Sequence, residues 1–285
     1  MVRRRKLEFS KIQLSVTRNF NFELETSMTN INLQSGKKVY FASDQHFGAP
    51  NPTESKKREE KFIRWLDIIK KDAQVVFLMG DLFDFWHEWK HVVPKGFIRV
   101  LGKIAELKDS GIEIYFFVGN HDLWMKNYFE EELGIPVYFE KKYYEIGGKH
   151  FLLAHGDGLG PGDTGYKRMK KLFTNPLAQW FFKWLHPDIA MRIAIYMSTK
   201  NKMISGEEDK QFLGEEKEFL IIYSKEKLKS ENIQYFIYGH RHLPMVIDLN
   251  VKGKHAQHIN LGDWISYFTY GVYDGNKFEL KTFEE

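Results

Sequence analysis

The sequence predicts an α/β fold organised around a layered central sheet. Three observations carry that expectation. From Lys38 onward, apolar strands alternate with amphipathic helices. The run Val75 to Met79 is apolar without interruption, as in a sheet covered on both faces. Several strands end in short motifs rich in Asp, Asn and His. With 285 residues, 43% hydrophobic and 28% charged, the chain suits one large globular domain or two small ones. It has no cysteine, which excludes disulfides, thiolate zinc sites and a cysteine nucleophile. A net charge of +4 does not argue for nucleic acid. The basic start (Arg3, Arg4, Arg5, Lys6) precedes no apolar segment of a signal peptide, and no run of 18 apolar residues is present. The expectation is a soluble, cytoplasmic protein, with contact to a membrane surface left open. Aromatic residues make up 16%, which asks for a role beyond core filling.

Residues 1–35 are polar and weakly patterned, with an edge strand as one reading of the alternation from Ile12 to Leu24. Met28 stands shortly before the first core strand, so residues 1–27 read either as an upstream extension or as a variable arm. Val39 to Ala42 is a strand leading to Asp44 and His46. Residues 56–71 form an amphipathic helix with Phe62, Trp65, Leu66 and Ile69 on one face. Val75 to Met79 leads to Gly80-Asp81, residues 96–109 are helical, and Ile112 to Val118 leads to Gly119-Asn120. This β-α-β-α-β order predicts right-handed crossovers. Tyr143 to Ile146 and His150 to Ala154 flank Gly147-Gly148 as a hairpin, and its second strand delivers His155. Residues 161–230 read as a mostly helical insertion, with Asn175-Pro176 as a helix start and Pro187-Asp188 as another. Tyr235 to Tyr238 leads to His240 and His242. Met245 to Leu249, Ala256 to Ile259, Tyr267 to Tyr273 and Lys277 to Leu280 then read as antiparallel strands.

The motifs carry the chemistry. Asp44-Gln45-His46, Gly80-Asp81-Leu82-Phe83-Asp84, Gly119-Asn120-His121-Asp122, His155-Gly156-Asp157 and Gly239-His240-Arg241-His242 together offer two Asp, one Asn and four His as ligands. Asp44 and His46 are two apart, so an extended segment would point both the same way. An Asp carboxylate has two oxygens and can bridge two cations. A mixed oxygen and nitrogen shell without thiolate suits Mn²⁺, with Zn²⁺ or Fe also admitted. Each motif alone is weak, since DxH and GDxxD are common in turns. Their joint occurrence, in order and at strand ends, points to hydrolysis of a phosphate ester or anhydride. His87, His91, His150, His186, His255 and His258 have no such setting and read as core or surface histidines.

The set DxH, GDxxD, GNHD, HGD and GHxH resembles the calcineurin-like metallophosphoesterase superfamily, over roughly residues 36–285. The resemblance implies a sandwich of two mixed sheets flanked by helices. It implies one metal on Asp44, His46, Asp81 and His242, and a second on Asp81, Asn120, His155 and His240. It also implies that His121 donates a proton to the leaving oxygen or contacts phosphate, with Asp122 orienting it. Asp84 and Asp157 read as supports for the ligands or turns.

The insertion is similar in place to that of the UDP-2,3-diacylglucosamine diphosphatase subfamily of lipid A synthesis. On the helix after Pro176, Trp180, Phe181, Trp184 and Leu185 leave only a narrow seam of Gln179, Lys183 and His186. The helix reads either as part of a small subdomain with its own core or as a lid for acyl chains that rests on a bilayer. Lys167, Arg168, Lys170 and Lys171 would then meet anionic headgroups. The resemblance implies cleavage of a nucleotide-linked glycolipid to UMP and an acylated sugar 1-phosphate. It implies a peripheral place on the inner membrane and substrate contacts from Asn120, His121, Asp163, Lys200, Lys202 and His240. Neither a nucleic-acid nor a protein partner is expected. One departure stands out: better-known members carry Arg where this chain has His121, and Arg would grip phosphate bidentately. The alternatives are a soluble phosphodiesterase or nucleotide pyrophosphatase with a structural insertion, and a scaffold that has lost its chemistry.

Overall fold

The computed structural model describes residues 28–161, 164–205 and 211–284, without the side chains of 164–166 and 199–205. The suggested strand from Ile12 to Leu24 lies outside the described residues. Two six-stranded mixed sheets pack face to face. The first runs β12 (Phe278–Thr282), β11 (Thr269–Tyr273), β2 (Lys38–Ala42), β3 (Ala73–Leu78), β4 (Glu113–Phe117), β5 (Val137–Tyr138). Its strands β2 to β5 are parallel, and β11 and β12 extend it antiparallel. The second runs β1 (Thr29–Ile31), β6 (Lys142–Ile146), β7 (Lys149–Leu153), β8 (Tyr235–Tyr238), β10 (Lys254–Asn260), β9 (Met245–Val251). Here β7, β8 and β10 are parallel neighbours.

The apolar run of β3 explains the layering. Val75, Phe77 and Met79 face the inter-sheet core, while Val76 and Leu78 face the outer layer. Helices α1 (Pro52–Ile69), α2 (Ile98–Asp109) and α3 (Tyr128–Leu133) belong to that outer layer. Asn51 caps α1 by accepting from the Glu54 N–H at 3.0 Å, with Pro52 at its first turn. Phe62, Trp65, Leu66 and Ile69 form its buried stripe, as the spacing predicts. Much of the aromatic content turns out to fill the core. Phe41 stacks on Phe77 at 5.1 Å, and Phe151 on Tyr235 at 4.6 Å, between the sheets.

Two boundaries differ from the sequence reading. Thr29 to Ile31 pairs in parallel with Tyr144 to Ile146, and Ile31 is buried between the sheets, so the sandwich begins before residue 36. The insertion is also narrower than 161–230. Its described helices are α4 (Thr164–Phe173), α5 (Pro176–Lys183) and α6 (Pro187–Ser205). Helix α7 (Phe219–Ser230) covers the second sheet, with Leu220, Ile221 and Leu228 against Leu152, Phe236 and Tyr238. It is the crossover helix that the parallel β7–β8 pair requires. Asn175 caps α5 through the N–H groups of Leu177 and Ala178, as expected.

Candidate metal centre

The C-terminal ends of β2, β3, β4, β7 and β8 all deliver ligands to one rim of the sandwich. Crevices at such strand ends are where open α/β sheets bind ligands. The local reason differs from the expected one. Asp44 and His46 are not on an extended segment. Both have left-handed backbone, with φ of 58° and 47°. Asp81, His240 and His242 share that conformation, at 53°, 66° and 54°. Such angles are uncommon for residues with a Cβ, and their clustering marks a functional site. The strands bring the chain to the rim, and the left-handed turns aim the side chains. Two glycines make the close approach possible. A Cβ on Gly119 would strike the Asp81 carboxylate, and one on Gly239 would strike Ser43 and the Asp44 carboxylate.

Four of the side chains fit one cation. Asp44, His46, Asp81 and His242 each present one atom within 4.8 Å of the others. His46 Nε2 stands 3.2 Å from His242 Nε2 and 3.6 Å from Asp81 Oδ2, and His242 Nε2 is 3.2 Å from Asp44 Oδ1. A first-row cation bound at about 2.1 Å spaces its ligands in this way. Asp44 Oδ1 is buried and faces only the imidazoles of His242 and His46, a place that a cation would satisfy. On the other side, His155 Nε2 is 3.3 Å from Asp81 Oδ2 and 3.2 Å from Asn120 Oδ1, which lies 2.8 Å from His240 Nδ1. Asp81 Oδ2 thus faces both groups, the position a bridging oxygen needs. The remaining oxygens are held by backbone. His121 N–H donates to Asp81 Oδ1 at 2.8 Å, and His240 N–H to Asp44 Oδ2 at 3.0 Å.

Three imidazoles are fixed through Nδ1, which leaves Nε2 facing inward. His46 Nδ1 meets Asp84 Oδ1 at 3.2 Å, His155 Nδ1 meets the Met79 carbonyl at 2.9 Å, and His242 Nδ1 meets Asp263 Oδ2 at 3.2 Å. Asp84 is therefore a support, in line with its sequence reading. Asp263 escaped that reading. Its signal was Gly262-Asp263 after β10, the same glycine and aspartate that follow β3. A second omission is Arg241, whose buried guanidinium makes two 2.9 Å contacts with the Glu218 carboxylate just before α7. Burial would raise the Asp44 carboxyl, but the adjacent imidazoles of His242 and His46 hold it well below the usual range. Against the opposing effect of burial, Asp44 and Asp263 lift His242 to about 10, and Asp81 lifts His155 to about 10. These carboxylates draw protons onto the imidazoles, and a bound metal would take the place of those protons.

His121 lies at the open side of the centre, as expected. Its Nδ1 is 2.9 Å from the Asp84 carbonyl and 3.5 Å from the Asp84 carboxylate. The expectation that Asp122 orients this ring is corrected. The buried Asp122 carboxylate accepts from the Leu82 N–H at 2.9 Å and the Gly119 N–H at 2.6 Å, tying together the loops after β3 and β4. Burial and the neighbouring Asp81 carboxylate push Asp122 up to about 8. Asp163 and the side chains of Lys200 and Lys202 lie outside the described residues.

An apolar chamber with about 120 Å³ of free volume adjoins His121 and Asp84 and runs under the insertion, between Trp124, Phe173, Phe182 and Met197. Phe182 anchors α5 here, 4.4 Å from Trp124 and 5.1 Å from His87 between ring centroids. Ser198 Oγ of α6 donates to Asp84 Oδ2 at 2.7 Å, so the insertion touches the residue that holds His46. Outside the chamber, Leu177, Trp180, Phe181 and Trp184 are exposed.

The sequence profile of the calcineurin-like phosphoesterase family matches residues 37–244. The chain is 38% identical over 261 residues to a UDP-2,3-diacylglucosamine hydrolase of Porphyromonas gingivalis, covering 87% of this chain and 98% of that one. It is 26% identical to a UDP-2,3-diacylglucosamine hydrolase of Yersinia pseudotuberculosis, covering 79% of this chain and 90% of the relative. With the ligands gathered as that family's motifs imply, the chain belongs to the calcineurin-like phosphoesterases and is a metal-dependent hydrolase.

Proposed function

We propose that this chain cleaves the pyrophosphate of UDP-2,3-diacylglucosamine with water, giving UMP and 2,3-diacylglucosamine 1-phosphate in lipid A assembly. The observation that carries this reading is the apolar chamber opening directly beside His121. A polar phosphate centre joined to a greasy cavity suits a substrate with a pyrophosphate at one end and acyl chains at the other. The similarity to UDP-2,3-diacylglucosamine hydrolases, over 87% and 79% of the chain, supports it.

Asp44, His46, Asp81 and His242 would hold one cation, and Asp81, Asn120, His155 and His240 the second, with Mn²⁺ favoured by the mixed donors. When bound, such a pair lowers the pKa of water and neutralises charge on a phosphoryl group. The water oxygen bonds to the α-phosphorus, and the bond to the bridging oxygen breaks. His121 gives its Nε2 proton to the departing sugar-phosphate oxygen. The Asp84 carbonyl holds the ring through Nδ1. Asn120, His121 and His240 at the rim, with Asp163, Lys200 and Lys202 of the insertion, are the proposed headgroup contacts.

The exposed Trp180, Phe181 and Trp184 support a peripheral seat on the cytoplasmic face of the inner membrane, with Lys167, Arg168 and Lys171 near anionic lipid. No helix of the described residues is long and apolar enough to cross a membrane. A second reading, a pyrophosphatase for water-soluble nucleotides, has on its side the histidine at position 121. A manganese-supplemented assay separates the two. UMP release from UDP-diacylglucosamine in detergent, well above release from unacylated UDP-sugars, is the expected result, and equal rates on both would favour the second reading.

A further inference from the structure

A second recess opens beside His155. It is an open surface groove with about 30 Å³ of free volume, lined by Tyr138, Phe139, Lys141, Asp157 and Lys170 next to that imidazole. Lys170 lines both this groove and the apolar chamber, so the two meet along its side chain. Its Nζ lies 2.6 Å from Asp157 Oδ2, which places an ammonium where they join.

The groove has the parts that a nucleobase needs. Tyr138 turns inward onto Tyr115 and Phe117, at centroid distances of 6.1 and 5.3 Å. The next residue, Phe139, turns outward and is 49% exposed at the groove. A flat, exposed ring is a stacking platform for any base. Lys141 adds a second cation, and Asp157 a carboxylate.

Resting on the proposed pyrophosphate substrate, we infer that this groove receives the nucleoside half, with its base on Phe139 and its phosphates beside Lys170. The substrate then lies across the metal centre, nucleoside by His155 and acylated sugar by His121. The two products leave by separate recesses.

The test is calorimetric titration of the manganese-loaded protein with UMP and, separately, with 2,3-diacylglucosamine 1-phosphate. Phe139→Ala should weaken UMP by roughly tenfold or more, the range for loss of one base-stacking ring. Phe139→Trp should restore UMP affinity, and the affinity of the lipid product should not follow that of UMP. Unchanged UMP affinity in Phe139→Ala would overturn the assignment, as would equal weakening of both products. Should the unaltered enzyme release no UMP from the glycolipid, the substrate reading fails instead. The groove is then judged by the Phe139 dependence of UMP binding alone.

Discussion

At the scale of single residues, the centre depends on supports as much as on ligands. Asp84 and Asp263 touch no proposed cation, yet each holds an imidazole through Nδ1. Asp263→Ala is expected to reduce manganese affinity or turnover by about 10–100-fold. Metal titration followed by assay at saturating manganese would separate the two effects. Asp81→Ala should instead remove bound metal and activity together, since its Oδ2 faces both ligand groups. Manganese-dependent hydrolysis retained in that variant would contradict the bridging role. Away from the centre, His258 is buried with its Nδ1 on Ser224, and burial pushes it down to about 3. The unfolded chain binds that proton near 6.5, so the folded state loses stability as pH falls through that value toward about 3. Urea midpoints of the metal-loaded protein should drop between pH 7 and pH 5, and His258→Asn should flatten that drop. The seven proposed ligands stand out because each sits in a short local motif. Asp263, Glu218 and the true partner of His121 do not, because each is defined by a contact across many residues of chain.

At the scale of elements, strands with continuous apolar runs and helices with clean stripes were read closely. In sequence helix α7 looks like part of the insertion, because it follows other helices and lacks a sharp polar face, and only its packing on β7 and β8 shows it to be a crossover. Strand β1 was missed because three residues carry no periodicity. The left-handed turns at the ligands were also illegible, since Asp and His give no local sign that φ is positive. The insertion itself offers a test. Trp180 and Trp184 point outward, 6.0 Å apart, and do not line the apolar chamber. Replacing both with Gln should cut turnover of acylated substrate in vesicles by an order of magnitude or more, as lost bilayer contact predicts. Small chromogenic phosphodiesters should be hydrolysed as before. A parallel fall in both activities would make the insertion a scaffold only.

At the scale of the whole molecule, two sheets with helices outside place five strand ends at one rim, and the alternation of elements foretold that layering. The same rim carries the conformational cost of five ligands in left-handed backbone. Cations that bind only the native chain stabilise it by mass action. Stripping divalent metal with a chelator should lower the melting temperature by several degrees, and manganese should restore it in a concentration-dependent way. A melting temperature indifferent to chelation would show that the rim holds its shape unaided.

The buried Arg241–Glu218 pair gives that dependence a direction along the chain. Arg241 stands between two ligand histidines, while its guanidinium grips the Glu218 carboxylate and the Gln211 carbonyl, where the polypeptide comes back from its helical excursion. Tugging on that returning strap would tug on His240 and His242. Loss of that pair would leave the Glu218 carboxylate buried without its cation, next to the segment that carries His240 and His242.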